Sequence, residues 1–255
     1  MAAVVLLAIA LPGVSCRTER DARPNPRPEP PQESAPPLRL VQRIDSWGTL
    51  REVLRDGNAE PRVKLAGLAE RDAIGVGALP YLAGEITIAG GRTWIATVDG
   101  DECTVTEAPL DAMATLLLRA EVGEWEGHEI ADCETYERLE SAIADELAER
   151  GIDRSSPIPV RVRGHAARVH YHVIDGACPV ANPSGPSPWR FSGPIDEVEI
   201  VGFFVEGAAG RWTHHARRSH LHVIGPGRTG HLDEVSIRDA VLYLPAYPSS
   251  CQSPN

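Results

Sequence analysis

The chain has 255 residues, 36 of them acidic and 25 basic, for a formal charge of −11. That balance argues against a nucleic-acid partner, because phosphate binding needs a basic surface. The length suits one generous domain, or two layers sharing a core.

The first twelve residues are almost wholly apolar. They are too few to span a bilayer as a mature helix and fit the apolar region of a signal peptide over residues 1–16. Gly13-Val14-Ser15-Cys16 resembles a bacterial lipoprotein cleavage box. On that reading Cys16 carries the lipid and anchors the chain to a membrane; simple secretion is the alternative. Residues 17–40 are rich in proline, charge and small side chains, and cannot bury enough apolar surface to fold. They read as an extended tether, followed by a folded domain over 41–248 and a tail over 249–255. The organisation is that of an exported protein, periplasmic or in the cell envelope. Setting Cys16 aside leaves Cys103, Cys133, Cys178 and Cys251. Four cysteines in an oxidising compartment predict two disulfides, with three connectivities open.

Within the domain, residues 45–55 open on a capping residue and place Leu50, Val53 and Leu54 on one helical face, with Gly57-Asn58 ending the helix. Glu85-Ile86-Thr87-Ile88 alternates, turns at Gly90-Gly91 and resumes at Thr93, a hairpin signal. Residues 112–120 are apolar and read as a strand. Residues 134–150 form the clearest helix, with Leu139, Ile143 and Leu147 at i, i+4 and i+8 and Gly151 closing it. Only strand signals follow, over 158–162, 168–174, 198–205, 220–224, 235–237 and 240–244. The pattern is α+β: a mixed sheet with helices, then an antiparallel, barrel-like half.

Five of the nine histidines fall between His214 and His231. In Ser219-His220-Leu221-His222-Val223-Ile224 the two imidazoles share one strand face. The turn-rich Gly225-Pro226-Gly227-Arg228-Thr229-Gly230 then brings His231 back toward them. Three imidazoles with an open fourth position make a catalytic zinc site. The competing view is a solvated histidine tract, which fits His214 and His215 in their polar run with Arg217 and Arg218. His170 and His172 repeat the i, i+2 geometry, and so can line the same cavity, orient a ligand or hold a second ion.

These residues resemble the α-acetolactate decarboxylase family. Val198-Glu199-Ile200-Val201-Gly202-Phe203-Phe204, the His220/His222 strand and Gly230-His231 are similar to that family's consecutive motifs. Upstream, Leu82-Ala83-Gly84-Glu85 and Val160-Arg161-Val162-Arg163-Gly164 are similar to a family strand and a family hairpin. The likeness runs colinearly over residues 43–245 and is most specific around the histidines. It implies a two-part fold with Zn2+ in the antiparallel half, a small keto-acid substrate, decarboxylation of acetolactate to acetoin, and a homodimer. It implies His220, His222 and His231 as metal ligands and Glu85 as the acid/base group. A family arginine falls at His172 here. Arg168, on the same strand face, is the first substitute, and Arg161 and Arg163, expected on a partner strand, are weaker ones. The family's tail glutamate has no counterpart, since residues 244–255 contain no acid. Two further readings follow from those departures. One is an exported zinc- or ligand-binding protein with altered catalysis. The other is a zinc hydrolase or different lyase that uses His172.

Overall fold

The computed structural model describes residues 43–176 and 187–246. The leader, Cys16, the tether, Cys178, Cys251 and the tail lie outside the described residues. Among the described residues, thirteen strands and one α-helix order the domain. The first sheet holds β1 (Arg43–Trp47), β3 (Ala73–Ala78), β4 (Glu85–Ala89), β5 (Arg92–Asp99), β6 (Glu102–Glu107) and β8 (Leu116–Glu121), in the order β1-β8-β3-β4-β5-β6. A small ribbon pairs β2 (Val63–Lys64) with β7 (Met113–Ala114). The second sheet runs β10 (Ile158–Val173), β11 (Trp189–Phe204), β12 (Ser219–Gly225), β13 (Arg228–Pro245) and β9 (Trp125–Ile130). Every pairing between these strands is antiparallel, so the first sheet is not the mixed one expected.

The predicted hairpin is β4–β5, with Gly90 and Gly91 both at positive φ. The predicted helix over 45–55 shrinks to a single turn at Arg51–Arg55. Asp45 does not cap it. Its carboxylate lies 3.1 Å from the guanidinium of fully buried Arg119, and residues 43–47 are drawn into β1 to make that pair. A buried guanidinium needs such a partner more than a surface turn needs a cap. The helix α1 (Tyr136–Glu149) forms as read. Thr135 caps it by accepting from the Arg138 N–H, and Gly151 leaves it at φ +64°. Leu139, Ile143 and Leu147 are fully buried against the second sheet. Each contributes roughly 1.5–3 kcal/mol through burial.

Where the sequence suggests pairs of short strands, the structure has long bent ones. Residues 158–162 and 168–174 are one strand, β10, and residues 235–237 and 240–244 are one strand, β13. The glycine at 164 marks a bulge, not a hairpin, so Arg161 and Arg163 share a strand with His172. Glu197 on β11 and Asp239 on β13 take positive φ beside the same bulge. Bulges bend strands and increase their twist. Here they curl the sheet until β10 bonds both β11 and β13. β9 continues the sheet beyond β13 as an edge strand, so the sheet as a whole is not the closed barrel expected.

The two sheets pack face to face, with β11 and β12 over β3 and β13 over β4 and β5. Of the four cysteines expected to pair, Cys103 and Cys133 form no disulfide among the described residues. Cys133 is buried, and its Sγ donates to the Ala131 carbonyl, so it is placed by packing and not by a bridge.

Candidate metal centre

The site lies where the face of β4 meets the face of β12. On β4, Ile86 and Ile88 join the core on the far side of the first sheet. Period-two alternation therefore turns Glu85 and Thr87 toward the second sheet. On β12, Leu221 and Val223 enter the core beside α1, which turns His220 and His222 toward β4. The two-residue turn Pro226-Gly227 closes the β12–β13 hairpin and sets His231 directly opposite His222. His172 on β10 is in turn opposite His231.

Two glycines make the close approach available. A Cβ on Gly202 would sit 2.0 Å from the His220 carbonyl oxygen, and one on Gly84 would sit 2.3 Å from that of Ala96. Both take positive φ, +155° and +151°. Each lies next to a functional segment, one beside His220 across the ladder and one immediately before Glu85. At the start of β12, the buried carboxylate of Glu140 on α1 accepts from the Ser219 hydroxyl at 2.6 Å and from the Arg218 N–H at 2.8 Å. The helix thus fixes the strand that carries the histidines.

The ligand atoms of His220, His222 and His231 all lie within 4.8 Å of one another. Their hydrogen bonds fit a metal. The Trp212 carbonyl, 3.1 Å from His220 Nδ1, can only accept, so Nδ1 carries the proton and Nε2 keeps its lone pair. His222 Nδ1 is 2.8 Å from the Thr87 hydroxyl, which also accepts from Thr229 at 2.8 Å. His222 Nε2 is buried and has no hydrogen-bond partner among the described residues. A buried nitrogen with no partner is costly unless something binds it. Nitrogens held this way on the far side of each ring are the usual support of a metal-bound imidazole. Thr87→Val is expected to weaken metal binding about 10- to 100-fold, measured with zinc as the probe in competition with a chromophoric chelator. An unchanged affinity would show that Thr87 orients nothing.

Burial holds His220 at about 3, with the nearby His214 contributing. Burial also holds His222 and His231 well below the usual imidazole range. All three are therefore neutral at pH 7, the form that binds metal. Glu85 is buried, and one of its oxygens is 3.7 Å from His222 Nε2. Burial raises its carboxyl to about 7, against the opposing pull of His172 and the Ile174 N–H.

His172 lines a cavity of about 260 Å³ together with His214, His231, Tyr136, Arg190 and Asp233. Its Nδ1 donates to Asp233 at 2.8 Å, and the other Asp233 oxygen accepts from Arg190 at 2.9 Å. Arg168 shares the His172 face but is exposed, and lies about 13 Å away along β10. Arg161 and Arg163 both pair with Glu199, at 2.8 and 3.3 Å. Arg190, which the sequence reading missed, is the arginine directly opposite His172.

His214 is also placed differently from the surface expectation. Its ring centroid is 5.0 Å from that of His231 and 6.2 Å from that of His220. Burial lowers it to about 4, with His172 adding to the effect. The segment between β11 and β12 folds back over the cluster, and the carbonyl of Trp212 in that segment fixes His220. His215 is exposed, as read.

No family model matches the chain, and no curated protein does. Solved structures do. The α-acetolactate decarboxylase from Bacillus subtilis strain 168 aligns with a TM-score of 0.66 at 20% identity, over 80% of this chain and 86% of that one. The acetolactate decarboxylase from Bacillus subtilis subspecies spizizenii gives the same values. A Staphylococcus aureus protein of unknown function similar to α-acetolactate decarboxylase aligns with a TM-score of 0.59 at 16% identity, over 78% and 84%. At these identities the likeness speaks to architecture: the chain has the acetolactate decarboxylase fold.

Proposed function

We propose that this protein decarboxylates acetolactate or a related β-keto acid at a zinc ion held by His220, His222 and His231. The observation that carries the reading is the placement of Glu85, a buried carboxyl raised to about 7, 3.7 Å from the unpartnered nitrogen of His222. A zinc ion bound by the three imidazoles would supply Lewis-acid stabilisation of the negative charge that loss of CO2 leaves beside a ketone. The remaining work belongs to the chain. Glu85, buried beside the histidine cluster, delivers a proton to carbon. His172, fixed by Asp233 through Nδ1, offers its other nitrogen to the substrate. Arg190 holds Asp233 in place and adds positive charge at the cavity mouth. The apolar leader and proline-rich segment support export as part of the same reading.

The test is acetoin release from racemic acetolactate by the purified, zinc-loaded protein, with His222→Ala as control. Wild type is expected to bind about one zinc per chain and to turn over. The variant is expected to lose on the order of 10³-fold in rate, the worth of several kcal/mol of charge stabilisation. One zinc per chain with no acetoin would sink the decarboxylase reading. It would favour the second one, an exported zinc- or ligand-binding protein on this scaffold. That alternative draws its support from an imidazole at the expected arginine position.

A further inference from the structure

A second cavity, of about 450 Å³, lies on the other side of the His214-His215 segment and has no part in the chemistry above. One wall is the turn after β1, with Leu50, Arg51 and Leu54. The other is the segment before β12, with Thr213, His214 and His215. Two backbone bonds stitch the walls together: the Leu50 N–H donates to the Arg211 carbonyl at 3.0 Å and the Arg51 N–H to the Gly210 carbonyl at 2.8 Å. This cavity and the one at the metal centre share His214 and His215 as lining. His214 lines the second space, and its ring lies 5.0 Å from that of His231.

The chemistry of the second space is amphiphilic. Leu50 and Leu54 give it an apolar floor. Arg55, at its rim, is already paired with Asp56 at 3.5 Å. The Arg51 guanidinium has no hydrogen bond or ion pair among the described residues, although it lines the cavity. A guanidinium is suited to gripping a carboxylate through two parallel bonds. A volume of this size falls in the range of small-molecule sites and far exceeds the needs of a four-carbon chain.

We propose that this cavity is a subsite for a remote carboxylate, so that the substrate is a keto acid longer than acetolactate, with its apolar chain on Leu50 and Leu54 and a second acidic group at Arg51. This rests on the reading of the histidine cluster as the reacting end. Binding energy from a part of the substrate far from the reacting carbons is a common means of holding the reacting end in place.

The experiment is calorimetric titration of the zinc-loaded full chain with linear dicarboxylates from glutarate to suberate, each against the monocarboxylate of the same length. One length of dicarboxylate is expected to bind about fivefold more tightly than its monocarboxylate, a modest gain because Arg51 is exposed. Arg51→Gln is expected to abolish that preference while leaving zinc stoichiometry and monocarboxylate affinity unchanged, and Arg51→Lys to keep part of it. No preference at any length in wild type, or an equal preference in Arg51→Gln, overturns the proposal. Acetolactate turnover does not enter this comparison. A preference that depends on Arg51 supports the subsite even where no acetoin forms, and acetoin formation without the preference leaves the decarboxylase reading standing alone.

Discussion

Acidifying the metal-free protein from pH 7.5 to pH 5 is expected to lower its folding free energy by several kcal/mol, a large share of the stability of an ordinary domain. His220 and His214 are held at about 3 and about 4, and His222 and His231 well below the usual range, with burial the largest cause in each. In the unfolded chain all four titrate near 6.5. Below that pH the unfolded state binds more protons than the folded one. The stability is therefore fully present above about 6.5 and is lost as the pH falls toward the folded values. His220 and His214 each cost about 1.4 kcal/mol per pH unit, or roughly 2 kcal/mol by pH 5, and His222 and His231 act in the same direction. Glu85 works the other way. Its folded value of about 7 lies above the ordinary 4.5, so its penalty is partly relieved on acidification to pH 5 and offsets about 2 kcal/mol. Four histidines outweigh one carboxyl. Urea unfolding with a chelator present at pH 7.5, 6.5 and 5 checks this, and a flat profile would mean that the imidazoles are far better hydrated than their packing indicates. Saturating zinc is expected to raise stability strongly at pH 7.5 and little at pH 5, because protonated imidazole cannot bind it.

The three clustered histidines were legible because their signal is local. An i, i+2 pair on a strand and a turn-rich loop fix relative positions without knowledge of the rest of the fold. Glu85 was legible only through the family resemblance. Its strand is buried on both faces, so alternation with Ile86 and Ile88 does not separate core from solvent. His214 was read as surface because Arg217 and Arg218 follow it, yet the same polar run is what allows the segment to leave the sheet and fold back over the cluster. The only local hint was its place in a stretch that holds five of the nine histidines. The strand breaks were misread for a related reason. Bulges and turns use the same residue types, and Gly164 and Asp239 signal both. What separates them is whether the chain pairs with a neighbour on each side of the interruption, which is a long-range fact. The same bulges carry His172 and Arg190 into register with His231, so an error about local structure became an error about which arginine lies near the site.

Glu85→Gln is expected to move stability and turnover in opposite directions. At pH 8 the folded, metal-free protein must ionise Glu85 in a buried site, and the gap between about 7 and the ordinary 4.5 corresponds to a penalty of roughly 3 kcal/mol. Glutamine keeps the shape and carries no charge to desolvate. The metal-free variant should therefore be about 3 kcal/mol more stable than wild type at pH 8, with about half that gain at pH 5.5, where the folded wild-type carboxyl is already protonated. Bound zinc, as a counter-charge close by, should shrink the gain at pH 8. Turnover should fall by about 10²- to 10⁴-fold, the usual worth of a positioned acid or base. The two measurements separate the ways in which the assignment can fail. A variant no more stable at pH 8 would show that Glu85 ionises cheaply, so its proton is not held for delivery at neutral pH. A variant that gains stability but keeps its turnover would leave Glu85 as a buried carboxyl without a catalytic task. His172, which lines the cavity and is oriented by Asp233, would then be the next group to test as the proton source.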